Sequence, residues 1–372
     1  MKKYRPKKNK SIVNGSFVRM AAIFIVLFIV LPGFSTLHAP SSTIAHKERK
    51  VPSVMYHMTK NLSRSHIVGG FSINTAERAT KAATDGVQVD FHYGQPPVEA
   101  SKVGQKLSSL HMKVIDAYIW TLLYRYECYR TLTIMQPPVG QKAYCQNDGD
   151  SYITDENELL TDIAAHLKLV KDNQLIIGYW MLDDWVQWDA GGARETLIKI
   201  HDLIQQYTPK RPAICGFGGS IDLHRKYGWN DWIAENYSSQ ACDEVGIYVY
   251  SASLPYTVTS SSDAFDWSMS GVLPAMFASL QKRGWDIEKE PLIGIGQAFG
   301  GPVAHADRYW VMPNARDIEI QSRSFCQHGA TSLSFYAWYD SGYGTSTQNP
   351  MNNPEIEAGI RNGIAACKQY WR

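Results

Sequence analysis

Two adjacent carboxylates, Asp183 and Asp184, close the apolar run Ile176-Ile177-Gly178-Tyr179-Trp180-Met181-Leu182, and Trp185 follows them. A run of this length bounded by charge predicts a buried parallel strand. In parallel α/β folds the C-terminal strand ends line the ligand crevice, whereas the opposite ends serve stability. Paired carboxylates in such a place can transfer a proton, activate water or attack a carbon centre. Side chains alternate along a strand, so one of the two acids is expected to face a ligand and the other to hydrogen-bond the scaffold. The plainer alternative is an acidic loop start that caps the next helix.

The same arrangement recurs along the chain. Asp90 and His92 end the predicted strand Val87–His92, and Asp116 and Trp120 belong to Lys113–Trp120. Tyr248 and Tyr250 lie near the end of Glu244–Ser251, Gln297 near the end of Pro291–Phe299, and Trp338 and Asp340 at the end of Ala330–Asp340. With His66–Phe71, Leu175–Asp184 and Pro212–Gly218, these make eight predicted strands. Helical patterns separate them at Ile73–Asp85, Val98–Met112, Glu156–Asn173, Gly192–Tyr207, Asp231–Ser239, Trp267–Arg283 and Ala315–His328, and Pro354–Trp371 closes the chain. Thr154 or Asp155 could cap the third of these, and Pro274 should kink the sixth or mark its true start. Only Thr121–Thr154 lacks a clear period, and loops of that length are usually functional or covering elements.

Right-handed βα crossovers repeated eight times close into a barrel. The predicted fold class is therefore α/β, a single (β/α)8 TIM barrel over residues 66–372. The rival, an open doubly wound sheet, should carry a glycine-rich phosphate turn after its first strand, and Gly69-Gly70-Phe71 is too short to be one.

Composition narrows the function classes. The 372 residues are 44% hydrophobic, 19% charged and 12% aromatic, with 11 Trp and 21 Tyr, a globular chain with an aromatic excess. The net charge of +2 is misleading, because the first 19 residues hold seven basic side chains and no acid. Without them 30 basic residues face 35 acidic ones, which leaves no basic field for nucleic acid.

Beyond this basic stretch, the apolar run Met20–Leu31 ends at Pro32 and is shorter than a spanning helix. It suits a signal peptide over residues 1–39, with cleavage options at Ala39 and Ala45, or an uncleaved anchor attaching the chain to a membrane. A polar linker, residues 40–65, follows. Either reading places the barrel outside the cytosol, secreted or membrane-anchored, where six cysteines can form disulfides in any of 15 pairings. Cys128 and Cys145 share the long loop, and bridging them closes about eighteen residues, worth roughly 3 kcal/mol in the chain-entropy model. Cys326 and Cys367 fall on the last two helices, neighbours on a barrel's outer ring. Cys215, in an apolar run, is expected as a buried thiol. No CxxC spacing and no His-x-His on the first strand occur, so neither a metal nor a cofactor is expected.

Carboxylates among aromatic rings suit sugars, whose C–H faces stack on aromatic faces while two carboxyl groups flank the scissile bond. Here Gly178-Tyr179-Trp180-Met181-Leu182-Asp183-Asp184-Trp185 resembles the Gly-Trp-Tyr-Leu-x-Asp-Glu-Pro strand-four signature of TIM-barrel glycoside hydrolase-like proteins. Gln297-Ala298-Phe299-Gly300 resembles the strand-seven end that carries the nucleophilic Glu in the large retaining clan. His328-Gly329-Ala330 with Phe335-Tyr336-Ala337-Trp338 resembles the last unit, whose Trp floors the sugar subsite. The resemblance implies Asp184 at the acid/base position and Asp183 at the residue before it. Asp90 and Asp116 are the further catalytic candidates. It also implies a carbohydrate substrate held by His92, Trp120, Trp180, Tyr248, Tyr250, Gln297, Trp338 and Asp340.

The departures matter. Asp184 is one methylene shorter than Glu, Trp185 replaces Pro, and the Gln297 amide cannot act as a nucleophile. Three readings follow. One is an inverting hydrolase with Asp184 as general acid and Asp90 or Asp116 activating water. Another is a retaining enzyme with its nucleophile elsewhere. The third is a carbohydrate-binding barrel without catalysis. Asp90, a strand further from Asp184 than Asp116, suits the wider carboxyl gap of inversion.

Overall fold

The computed structural model describes residues 66–130, 152–183, 193–219, 236–250, 268–302, 309–339 and 348–371, all within the unit Ser63–Arg372. The expected leader and linker lie outside these residues. Eight parallel strands close into a barrel: β1 (Val68–Phe71), β2 (Val89–His92), β3 (Lys113–Asp116), β4 (Ile176–Leu182), β5 (Ala213–Gly219), β6 (Glu244–Val249), β7 (Leu292–Gln297) and β8 (Ser332–Tyr336). Each strand pairs with its sequence neighbours, and β1 closes on β8 through Val68 opposite Leu333 and Gly70 opposite Phe335.

The described helices are α1 (Ala76–Thr84), α2 (Lys102–Ser109), α3 (Tyr118–Arg130), α4 (Glu156–Val170), α5 (Arg194–Tyr207), α6 (Leu273–Lys282), α7 (Ala315–Gln327) and α8 (Pro354–Cys367). Their starts are written locally. Thr75, Ser101, Asp155, Asn314 and Asn353 each accept a hydrogen bond from a backbone N–H of the first turn. Of the two expected caps for α4, Asp155 is the one used, accepting from Asn157 at 2.6 Å. Pro274 stands in the first turn of α6, where its missing N–H costs nothing, and a π-helical turn, Ser268–Val272, precedes it. Among the described residues no helix is long and apolar enough to cross a membrane.

Period-two alternation divides the core in two. Inside the barrel lie Phe71, Val89, Phe91, Ile115, Trp180, Ile214, Ile293 and Ile295. Outside, against the helices, lie Val114, Met181, Leu182, Cys215, Val245, Ile247, Leu292 and Phe335. Trp180 is the plug of the lumen, with no exposed surface and its ring edge-on to Phe71 and Phe91 at 5.6 and 5.4 Å. Gly216 on β5 and Gly246 on β6 leave room for it, since a Cβ at either position would run into the indole.

Two expectations change. Lys113–Trp120 is not one strand, because β3 stops at Asp116 and α3 begins at Tyr118. The Asp116 carboxylate accepts from Tyr118 N–H at 2.9 Å and turns the chain. Aromatic residues all round α3 hide the helical spacing of its buried Ile119, Leu122 and Leu123. Cys215 is also not a thiol. It is bonded to Cys242, just before β6, with Cα atoms 5.5 Å apart. Cys326 and Cys367 join α7 to α8 as expected. Cys128 is disulfide-bonded too, and its expected partner Cys145 lies outside the described residues.

Gly216→Ala should lower stability by about 1–3 kcal/mol through overpacking against Trp180. Denaturant unfolding of Gly216→Ala, Trp180→Phe and the double variant checks the cause: a clash makes the two losses less than additive.

Candidate functional site

The mouth is built by the even-numbered strands. Tyr93 directly follows β2, Asp183 follows β4, Tyr248 and Tyr250 come from β6, and Tyr336 ends β8. Barrel layers draw on alternate strands in this way. The five form a closed circuit. Asp183 accepts hydrogen bonds from the Tyr93 hydroxyl and, at 2.9 Å, from the Tyr248 hydroxyl. Tyr248 packs on Tyr250 at 5.3 Å between ring centres, Tyr250 on Tyr336 at 5.9 Å, and Tyr336 on Tyr93 at 6.4 Å. Phe71 supports Tyr93 and Tyr336 from below, and Phe299 wedges between Tyr250 and Tyr336. Tyr248 is buried, whereas Tyr93, Asp183, Tyr250 and Tyr336 are half-buried, with part of each surface open.

An irregularity in β4 turns Asp183 inward. Trp180 pairs with Ile214, but Leu182 pairs with Cys215, so one extra residue sits on β4 there. Met181 and Leu182 consequently both face the helices, and Asp183 returns to the side that Trp180 occupies. Strict alternation from Trp180 would have turned Leu182 inward and Asp183 outward. Asp184, and likewise Asp340, lies outside the described residues.

Asp90 and Asp116 are not at the mouth, which corrects the expectation that either activates water there. Phe91 and Ile115 are the inward residues of β2 and β3, so their neighbours face out. Both acids have no exposed surface. Asp90 accepts from Ile73 N–H at 2.9 Å and from the His92 ring at 2.7 Å. Asp116 accepts from Tyr118 N–H and, at 2.7 Å, from His166 of α4. His92, expected to bind substrate, is instead buried as the partner of Asp90. Burial opposes charge on this ring, but the hydrogen bond and charge of Asp90, with the charge of Asp116 beyond, outweigh it and raise the His92 pKa.

The remaining candidates divide. Tyr248 and Tyr250 belong to the mouth. Trp180 lies under it as core and shows no face to a ligand. Trp120, on α3 rather than on a strand, is half-buried and packs on Tyr124 at 5.5 Å. Gln297 is fully buried, and its side-chain amide donates to the carbonyls of Phe299 and Val311 at 3.0 and 2.9 Å, bracing the end of β7. Trp338 has no exposed surface and packs in the outer layer over Gly70, so it does not floor the mouth. Tyr93, Tyr336, Phe71 and Phe299 were absent from the expected site. Alternation gave a signal for Tyr93, two residues past the inward Phe91, but it falls beyond the last strand residue.

The fold and this mouth define a (β/α)8 barrel with a carboxylate set in an aromatic ring. No protein-family model and no curated protein matches the chain. Solved structures similar to it include a β-galactosidase from the psychrophilic Marinomonas ef1, 11% identical, with 81% of this chain and 59% of that one covered and a TM-score of 0.47. Xylanase 10B from Thermotoga maritima is 10% identical over 82% of this chain and 96% of that one, with a TM-score of 0.46. An endo-β-1,4-mannanase from Thermotoga petrophila is 12% identical over 82% and 77%, also at 0.46. The chain thus spans less than two thirds of the β-galactosidase. Likeness at this level fixes no residue of the site.

The raised His92 pKa gives a pH test. A group with a raised folded-state pKa contributes stability that is fully present below its unfolded value of about 6.5 and is lost as pH rises through the folded value. The stability difference between the natural chain and His92→Gln should therefore be largest below about pH 6.5 and shrink at higher pH. Urea unfolding across that range measures it.

Proposed function

We propose that the chain is a glycoside hydrolase acting on an oligosaccharide or polysaccharide outside the cytosol. The observation that carries this reading is Asp183, an acid at the barrel mouth held by two tyrosine hydroxyls inside an aromatic circuit. Hydroxyl donors favour the ionised form of a carboxylate. An ionised carboxylate beside the anomeric carbon can stabilise positive charge or attack as a nucleophile. Tyr250 and Tyr336 offer the ring surface on which a pyranose stacks. Proton donation falls to Asp184, the next residue, as the strand-four resemblance implies. The bonded Cys215–Cys242 and Cys326–Cys367 pairs favour an oxidising compartment.

A second reading, a glycan-binding barrel without turnover, is favoured by a different observation. The usual routes of glycoside hydrolysis use two carboxyl groups. Asp90 and Asp116 are committed to the scaffold, Gln297 is an amide, and among the described residues Asp183 is the one carboxylate that joins the mouth circuit.

A glycan panel scored for both released reducing ends and binding separates the two. In the first reading Asp183→Asn and Asp184→Asn each lower turnover by about 10²–10⁴-fold while binding persists. Tyr93→Phe and Tyr248→Phe, each removing one donor to Asp183, cost about 10–100-fold. Binding by the natural chain with no product decides for the second reading, and neither binding nor product on any glycan sinks both.

A further inference from the structure

Arg78 has an unusual environment for a half-buried arginine. It stands in the first turn of α1, directly after β1, and its guanidinium lies 4.2 Å from the ring centre of Tyr339, which follows β8. The chain continues the β1–β8 seam at this height, where Trp338 N–H donates to Phe71 O at 3.0 Å. Arg78 and Tyr339 therefore sit over the seam on the mouth face, and Tyr339 is three residues beyond Tyr336 of the aromatic circuit.

A guanidinium carries five N–H donors. Here the side chain of Asn74 accepts from one nitrogen, and no carboxylate among the described residues pairs with the group. Two other half-buried arginines are matched. Arg130 pairs with Glu127 at 2.8 Å, and Arg211 donates to the carbonyls of Val170 and Asn173. Burial lowers the Arg78 pKa, opposed by Tyr339, Glu77 and Asp90, of which neither acid is close enough to be an ion-pair partner. The guanidinium stays charged at neutral pH. Tyr339 lies against the guanidinium and remains 41% exposed. A partly desolvated cation with donors to spare is a site for an oxyanion.

We infer that Arg78 with Tyr339 forms an anion subsite at the rim of the mouth, which selects a saccharide carrying a carboxylate, a uronate-containing chain. The inference rests on the carbohydrate reading above and names its substrate class. The planar fork suits a carboxylate in bidentate contact, and Tyr339 offers the exposed part of its ring to the same sugar.

The test uses the full chain and three oligosaccharides of one length and linkage: neutral, uronate-containing and sulfated. The natural protein should bind the uronate chain at least tenfold better than the neutral one, with the advantage falling as salt rises. Arg78→Gln should collapse the uronate-to-neutral ratio by about 10–100-fold, and Arg78→Lys, which keeps charge but loses the fork, should retain part of it. Circular dichroism and melting confirm that the variants are folded. Equal affinity for neutral and uronate chains, or an unchanged ratio in Arg78→Gln, overturns the inference and leaves the carbohydrate reading standing. Preference for the sulfated chain overturns the carboxylate assignment. Failure of every oligosaccharide to bind removes the carbohydrate reading itself, and this inference with it.

Discussion

A closed barrel commits every strand residue to one of two sides, and the architecture of this protein depends on how that commitment is kept and, on β4, broken at Ile177 against β3 and again after Trp180 against β5. On β2, β3, β6 and β7 alternation runs undisturbed, so apolar side chains fill the lumen and their neighbours meet the helices. On β4 one extra residue resets the parity between Trp180 and Leu182. The strand can thus fill the lumen with its largest side chain and, three residues later, present an acid on the same side. Without the reset, Asp183 would be placed among the helices beside Met181.

The acids of the strand ends then fall into two groups by the side they occupy. Outside, Asp90 and Asp116 tie loops and helices to the sheet: each turns the chain through a backbone N–H and holds an imidazole with its second oxygen. Removing one partner of such a buried pair leaves a group that burial has already cut off from water, which is why these residues serve register and loop geometry. Inside, Asp183 has hydroxyl partners and part of its surface open. The side of the strand, more than the type of residue, separates scaffold from candidate chemistry.

Below the mouth the lumen is filled by side chains, with Trp180 seated on the space opened by Gly216 and Gly246. Above it the aromatic rings stand on a rigid floor, each touching the next, so their positions are set by packing rather than by loops. Rings and a carboxylate fixed before a ligand arrives lose little entropy on binding it. The disulfide between α7 and α8 and that between Cys215 and Cys242 lie in the outer layer, where they hold helices and strand starts without touching the mouth.

Local pattern alone determined much of this protein. Apolar runs separated by capped helical stretches predicted eight strands and the barrel, because period two and period 3.6 are properties of neighbouring residues. The same pattern located the acids and tyrosines at the strand ends. It overextended β3, where a side-chain turn at Asp116 ended the strand, and it left α3 unrecognised. It did not decide which acids face the ligand side. That depended on a one-residue shift in β4 visible only in its pairing with β5, and on partners 90 and 65 residues away, Tyr93 and Tyr248, that receive Asp183. It also placed Trp338 at the mouth, whereas packing against Gly70 drew the indole into the outer layer. Side-chain direction beyond a strand end is set by what the closed barrel brings near, and closure is a property of the whole chain.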